Sequence, residues 1–443
     1  MVVEAEFLAG VVEGFYGRPW SHQQRLDLFR NMAGWGLNTY FYSPKDDLKH
    51  RACWRETYDA EETARMGQLV SACQENGLKF FYGLSPGLDI HFSKSAEIER
   101  IKERFRQLQQ MGTQHFALLF DDLPGEMRKE DSKQFPSIAA AQAYVANQVY
   151  NWLYASNSDA RLLFCPTPYC DRMVKWKLGG EDYLDDLGAE LHPNIEVLWT
   201  GPEIISFDIS LQSLEVLEER IRRKPIIWDN LHANDYDVRR LYCGPYSRPK
   251  ELKSAVRGIL SNPNEEYPIN FVPLRTLADF VSDDTYDPLK SYGNAVQDWA
   301  QKFQTHNGQV QAEDVRFLAD CYYLPDCNGA SANRLLDVVH LLLSKPVDDW
   351  TGEFEELEAY YYRSRKVCEQ LTELNDRELF YAWSRRTWEL REELELIYDF
   401  VKHKKVGKRF QSETHLPKTY RGGLVAQIQR MLNMNDDGSF GNV

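Results

Sequence analysis

Two adjacent carboxylates, Asp121-Asp122, close the apolar run Phe116-Ala117-Leu118-Leu119-Phe120. Neighbouring carboxylates repel. One of the pair is therefore expected to keep its proton to a higher pH than usual, as a general acid needs, while the other stays charged. The same residues could instead cap a helix and form a salt bridge, with Lys45 the candidate cation. Spacing narrows the chemistry. A glycosidase that uses two protein carboxyls sets them about 5–5.5 Å or about 6.5–9.5 Å apart on opposite sides of a sugar ring. Consecutive residues start from Cα atoms only about 3.8 Å apart and flank a ring poorly. Such a pair suits an arrangement in which one carboxylate orients a nucleophile that belongs to the substrate and the other protonates the leaving oxygen. The 2-acetamido group of an N-acetyl sugar is a nucleophile of that kind.

Other familiar chemistries lack their signatures. The sequence has no phosphate-binding Gly-rich loop, no HExxH and no GxSxG. Its ten histidines are scattered and suggest no metal site; His50 and His232 read as hydrogen-bonding loop residues. With 52 Lys plus Arg against 67 Asp plus Glu, the 443-residue chain carries a net charge of −15, which argues against a nucleic-acid or anionic-membrane surface. No run of 18 apolar residues occurs, and the first strand-like run begins too early to leave room for a signal peptide. Eight cysteines without a CxxC pair, and no Asn-x-Ser/Thr sequon, suit a reducing cytoplasm or a pool shared with the nucleus.

The elements that would position the acidic pair follow a rhythm. Strand-like runs at 7–12, 39–42, 79–82, 115–120, 162–164, 195–199, 225–228 and 270–272 alternate with amphipathic stretches at 23–35, 61–74, 96–111, 139–154, 213–221 and 251–260. Eight such units predict an α/β fold, a (β/α)8 TIM barrel over residues 1–282, with an open doubly wound sheet as the rival. Seven of the runs end at polar or Gly/Pro residues, among them Glu13-Gly14, Ser85-Pro86-Gly87, Asp121-Asp122 and Asp229-Asn230. In a barrel these loops share the C-terminal face, where active sites are built. From 283 to 433 only helical patterns follow, predicting an all-α stalk or bundle. A stretch over 377–404 is about 42 Å long at roughly 1.5 Å per residue. Its stripe Phe380, Trp383, Thr387, Leu390, Leu394, Ile397 and Val401 serves either self-packing or pairing with another subunit. Residues 434–443 are polar and read as a disordered tail.

Several longer motifs add a resemblance. Glu13-Gly14-Phe15-Tyr16-Gly17-Arg18-Pro19-Trp20, Tyr42-Ser43-Pro44-Lys45-Asp46-Asp47, Leu84-Ser85-Pro86-Gly87-Leu88-Asp89, Leu119-Phe120-Asp121-Asp122 and the stretch from Trp228-Asp229-Asn230 to Asp235-Tyr236-Asp237 resemble the signatures of glycoside hydrolase family 84. The match runs from about Glu6 to Val281. Leu318-Ala319-Asp320-Cys321-Tyr322-Tyr323-Leu324-Pro325 and Arg421-Gly422-Gly423-Leu424 are similar to the helical domain of the family's animal members, which remove single N-acetylglucosamine residues from Ser and Thr of proteins.

The resemblance implies a retaining hydrolysis through an oxazoline intermediate, without a cofactor or metal. Asp121 would accept the acetamido N–H, and Asp122 would act as acid and then as base. Tyr169 would hold the acetamido carbonyl. Gly14, Lys45, Asn230, Asp235 and Asn262 would contact the sugar and its acetamido group, and Trp228 would wall the acetamido pocket. It also implies O-GlcNAc-modified proteins as substrates and a homodimer through the helical domain, with Trp388 as an outlying substrate contact. Animal members usually carry a long insert where a short segment here joins barrel to helices. The stretch Cys170-Asp171-Arg172-Met173 is more polar than its counterpart, which bears on the choice of protein substrate. Two alternatives stay open: the same chemistry on amino-sugar glycans, and a barrel that binds the sugar without turnover.

Overall fold

The computed structural model describes residues 6–412, 415 and 419–442. It divides into two compact units. The first comprises 1–235, 246–267 and 277–286; the second comprises 236–245, 268–276 and 287–443.

The first unit is a closed barrel of eight parallel strands in sequence order: β1 (Leu8–Glu13), β2 (Thr39–Tyr42), β3 (Lys79–Leu84), β4 (His115–Leu119), β5 (Leu162–Cys165), β6 (Glu196–Trp199), β7 (Ile226–Asp229) and β8 (Gly258–Ser261). The ring closes by pairing Leu8 with Gly258 and Val11 with Ser261. Helices α1 (His22–Trp35), α2 (Ala60–Glu75), α3 (Ser95–Gln110), α4 (Ile138–Ser156), α5 (Asp171–Lys175), α6 (Tyr183–Glu190), α7 (Leu211–Ile221) and α8 (Leu252–Ala255) fall between the strands. Several start at side-chain caps that satisfy otherwise orphaned N–H groups. Ser21 with Gln24 and Asp59 with Glu62 each form a capping box, and Ser137 and Ser210 cap α4 and α7. Leu8, Val12, Phe41, Phe81, Ala117, Leu119, Leu163, Leu198, Ile226 and Leu260 form one buried cluster. The alternation of strand side chains supplies these residues from every strand of the barrel.

The expected eighth strand is misplaced. Residue 270 ends a 3-10 turn and 271–272 begin α9 (Phe271–Ser282), whereas Gly258–Ser261, whose first three residues read as the end of a helix, is β8. The run Gly258-Ile259-Leu260-Ser261 holds only two apolar residues between a Gly and a Ser, and so lacks the apolar run that marks the other strands. Gly258 fits because a Cβ there would lie 2.6 Å from the Leu8 carbonyl oxygen.

The second unit contains α10 (Pro288–Ala300), α11 (Ala312–Cys321), α12 (Ala330–Ser344), α13 (Glu353–Thr372), α14 (Arg377–Lys405) and α15 (Gly423–Gln429). Asp287, with Pro288 next to it, caps α10, and Asp376 caps α14. The long predicted helix is α14. Of its expected stripe, Trp383, Thr387, Leu390, Leu394, Ile397 and Val401 are buried and Phe380 is half-buried. Trp383 lies 6.1 Å from Trp299 and edge-on to Tyr322 at 5.5 Å, so the stripe packs within the unit.

The tail after 433 is not wholly irregular. Two short hairpins accompany the helices: β9 (Gln304–Thr305) with β10 (Gly308–Gln309), and β11 (Leu432–Met434) with β12 (Phe440–Asn442). The second occupies the segment expected to be disordered. Its turn is fixed by Asp437, which accepts the Ser439 N–H over 3.0 Å, and by Gly438 at φ 79°. Phe440 buries its ring against Phe410 at 5.7 Å. One apolar ring and an Asp-Gly turn outweigh the polar composition. Val443 and residues 1–5 lie outside the described residues. Among the described residues no helix is long and apolar enough to cross a membrane.

Candidate active site

The strand ends of the first unit bring the expected residues into one hydrogen-bonded and stacked cluster. Two buried ion pairs brace it. Glu13, which ends β1, accepts Arg25 Nε and Nη2 over 2.8 and 2.6 Å, together with the Tyr40 hydroxyl and the Trp20 N–H. Asp229, which ends β7, accepts Arg248 Nε and Nη2 over 2.9 and 2.7 Å, the Tyr246 hydroxyl over 2.8 Å and the Leu231 N–H over 3.0 Å.

Next to that scaffold runs a chain of short contacts. Trp228 Nε1 donates to Asn230 Oδ1 over 3.1 Å, and Asn262 Nδ2 donates to the same oxygen over 2.9 Å. Asn262 Oδ1 accepts the Gly14 N–H over 3.3 Å, and Asn230 Nδ2 donates to the Ile204 carbonyl over 2.7 Å. Position 14 must be glycine because a Cβ there would lie 2.1 Å from Cζ2 of the Trp228 ring. The ring is buried, and Lys45 Nζ stands 5.6 Å from its centroid.

The acidic pair divides. Asp121 is 5% exposed and takes Lys45 Nζ on Oδ2. Its Oδ1 is buried and has no hydrogen-bond partner among the described residues. Burial opposes ionisation of Asp121, but the ammonium of Lys45 and the guanidinium of Arg51 outweigh it and hold the carboxyl below the usual range. Burial likewise opposes the Lys45 charge, and Asp121 and Asp122 outweigh it, so that Lys45 is raised. Asp122 is exposed, with φ of 55° in the left-handed region. Its Oδ1 accepts the Tyr169 hydroxyl and its Oδ2 the Tyr16 hydroxyl, each over 2.7 Å. Burial, and then Asp122, push both tyrosines up.

The repulsion expected to raise one carboxyl is thus answered for Asp121 by cations. The alternative salt bridge to Lys45 exists, but no helix begins at Asp122; the next element is a 3-10 turn at Asp131–Lys133. Asp235, half-buried, reaches the cluster through Tyr16, whose N–H it accepts over 2.8 Å. His50 hydrogen-bonds the Gly83 carbonyl over 2.9 Å as a loop histidine should, and burial, followed by the Lys45 charge, pushes it down to about 4. Trp388 lies in the second unit on α14, 46% exposed, its Nε1 donating to Glu392 over 3.0 Å. In the polar stretch after Tyr169, Arg172 pairs with Glu203.

Sequence reasoning missed two residues at the pair. Tyr16 lay inside a quoted motif with no role attached. Arg51 gave no signal at all, since its partners are 35 and 71 residues away. Among the described residues no three His, Cys, Asp or Glu side chains converge as a metal site would need.

The family model described as beta-N-acetylglucosaminidase matches residues 9–319. The Protein O-GlcNAcases of Rattus norvegicus and Mus musculus are each 47% identical over 273 residues, 61% of this chain and 30% of theirs. The match therefore spans less than a third of those curated relatives. A solved structure of a mutant Thermobaculum terrenum O-GlcNAc hydrolase superposes with a TM-score of 0.78 at 26% identity, covering 91% of this chain and 87% of that one. The chain belongs to the β-N-acetylglucosaminidase family, glycoside hydrolase family 84.

Proposed function

We propose that this protein hydrolyses the β-glycosidic bond between N-acetylglucosamine and Ser or Thr of proteins, with retention of configuration and assistance from the substrate's own acetamido group. The observation that carries the reading is the divided aspartate pair. Asp121 is charged, buried and left with one unpartnered oxygen, Oδ1. A buried acceptor of this kind is costly, by about 1–3 kcal/mol, unless a ligand donor completes it. The acetamido N–H is such a donor. Accepting it turns the acetamido carbonyl oxygen towards C1, where it displaces the Ser or Thr oxygen and closes an oxazoline as the N–H proton moves onto Asp121, which returns it when the ring reopens. Asp122 gives its proton to that leaving oxygen, then takes one from the water that reopens the ring. The Tyr16 and Tyr169 hydroxyls fix the orientation of Asp122. Trp228, held by Asn230, offers the acetamido methyl an apolar wall.

The test is release of 4-nitrophenol from its N-acetyl-β-glucosaminide. Asp122→Asn is expected to lose roughly two or more decades of kcat, the usual order for removed acid–base catalysis, because the water step needs its base even where the leaving group needs little acid. Substrates with one, two and three fluorines on the acetamido methyl should react progressively more slowly, since each weakens the internal nucleophile. A flat fluorine series would exclude substrate assistance, and sugar binding without turnover would leave a binding module.

The proposal extends to assembly and place. A homodimer through the helical unit predicts a light-scattering mass near twice 51.7 kDa; the monomer mass at micromolar concentration would exclude it. A cytoplasmic or cytoplasmic–nuclear location is in keeping with eight cysteines that form no CxxC pair and with the lack of an Asn-x-Ser/Thr sequon, and cell fractionation tests it.

A further inference from the structure

The carboxylate of Asp122 is held by two tyrosines, and its backbone is held separately. Both restraints meet at Arg51. Its Nη1 donates to the Tyr16 hydroxyl, which in turn donates to Asp122 Oδ2 over 2.7 Å. Its Nη2 donates to the Asp122 carbonyl oxygen over 3.2 Å. The guanidinium therefore grips the acid–base residue at both ends, directly at the main chain and through one phenol at the side chain.

Two features make that grip more than a surface contact. Asp122 sits at φ 55°, a left-handed conformation that few residues other than Gly, Asn and Asp adopt and that its surroundings must hold. The Arg51–carbonyl bond restrains the peptide on the far side of that strained Cα. A guanidinium is also a rigid fork, so its two nitrogens hold their acceptors at a fixed separation, which an ammonium cannot do. Arg51 itself is placed by its turn, where Trp54 is fully buried and donates Nε1 to Asp89 over 2.8 Å.

We propose that Arg51 is the positioning residue of the acid–base carboxylate: its guanidinium ties the Asp122 carbonyl to the Tyr16 hydroxyl and so fixes the direction in which Asp122 delivers its proton. This rests on the hydrolase reading above. The Arg51 charge also bears on Asp121 and Asp122, alongside Lys45. The geometric role is separable from the charge by leaving group. A 4-nitrophenolate departs with little protonation, whereas a serine oxygen needs a well-aimed proton.

Arg51→Ala is therefore expected to lose about tenfold or less of kcat/KM on 4-nitrophenyl N-acetyl-β-glucosaminide and about a hundredfold on an O-GlcNAc peptide, mostly in kcat. Arg51→Lys, which keeps the charge and loses the fork, should stay nearer the Ala variant than the parent, and it serves should the Ala variant fail to fold. Equal losses on the two substrates, no loss on the peptide, or full recovery with Lys would each overturn the proposal. A parent inactive on both substrates would overturn the hydrolase reading and this one with it. An active parent with equal losses would overturn only the role of Arg51.

Discussion

Asp229 and Asp121 hold comparable stations, one ending β7 and the other two residues past β4, both buried and both facing a cation. They differ in how completely they are satisfied. Asp229 receives four donors over its two oxygens, from Arg248 twice, Tyr246 and Leu231. Asp121 receives Lys45 on one oxygen and nothing on the other. A saturated carboxylate has no lone pair to offer a substrate and serves the fold; a half-satisfied one keeps a directed acceptor at the expense of stability. Burial and charge alone would rank the two alike. The count of filled lone pairs separates scaffold from chemistry, and Glu13, with Arg25, Tyr40 and Trp20 around it, falls with Asp229.

The sharpest way to break this comparison is to remove one partner from each pair. Arg248→Met strands the Asp229 charge in a buried site and should cost about 3–5 kcal/mol of stability, read as a lowered urea midpoint. Asp121→Asn should cost less stability, because Asn still offers Lys45 an acceptor and the Asp122 charge continues to act on that ammonium. It should nonetheless lose two to three decades of hydrolysis. If Asp121→Asn unfolds the chain as readily as Arg248→Met, the distinction between the two carboxylates fails.

A smaller effect concerns His50, one of whose neighbouring charges is Lys45. Its ordinary value of 6.5 is pushed down to about 4, so the folded chain keeps it neutral where the unfolded chain protonates it. Unfolded His50 binds the extra proton between those values, so stability should fall as pH drops from 6.5 towards 4. The slope approaches roughly 1.4 kcal/mol per pH unit for each such histidine. His115, also pushed down to about 4 by burial and then Arg161, adds its own share. His50→Gln should flatten the urea midpoint against pH; an unchanged slope would mean that His50 is not buried neutral.

What could be read from the sequence follows from the distances involved. Asp121-Asp122 and Asp229-Asn230 were visible because barrel topology gathers strand ends on one face, whatever their separation along the chain. The helical stripe of α14 was visible because its period is local. The eighth strand was missed because Gly258 and Ser261 bracket only two apolar residues, fewer than in the other strands, and the β11–β12 hairpin because its polar turn masks a single buried Phe440. Arg51 and the Gly14–Asn262 contact, 248 residues apart, depend on pairings that no local pattern encodes. Motif resemblance supplied the Asn262 role. It attached no role to Arg51.

The left-handed turn of Asp122 also bears on which amino acids this position can accept. Besides Gly, the residues that tolerate such a backbone are chiefly Asn and Asp, whose short side chains bond locally. Of these only Asp is a carboxylic acid. A glutamate would supply the same functional group on a longer arm but would meet a backbone that disfavours it. The main chain thus narrows the alphabet before chemistry is consulted. It also makes Asn the substitution that disturbs the loop least, and Ala or Glu substitutions at 122 would confound loss of the acid with a shifted backbone.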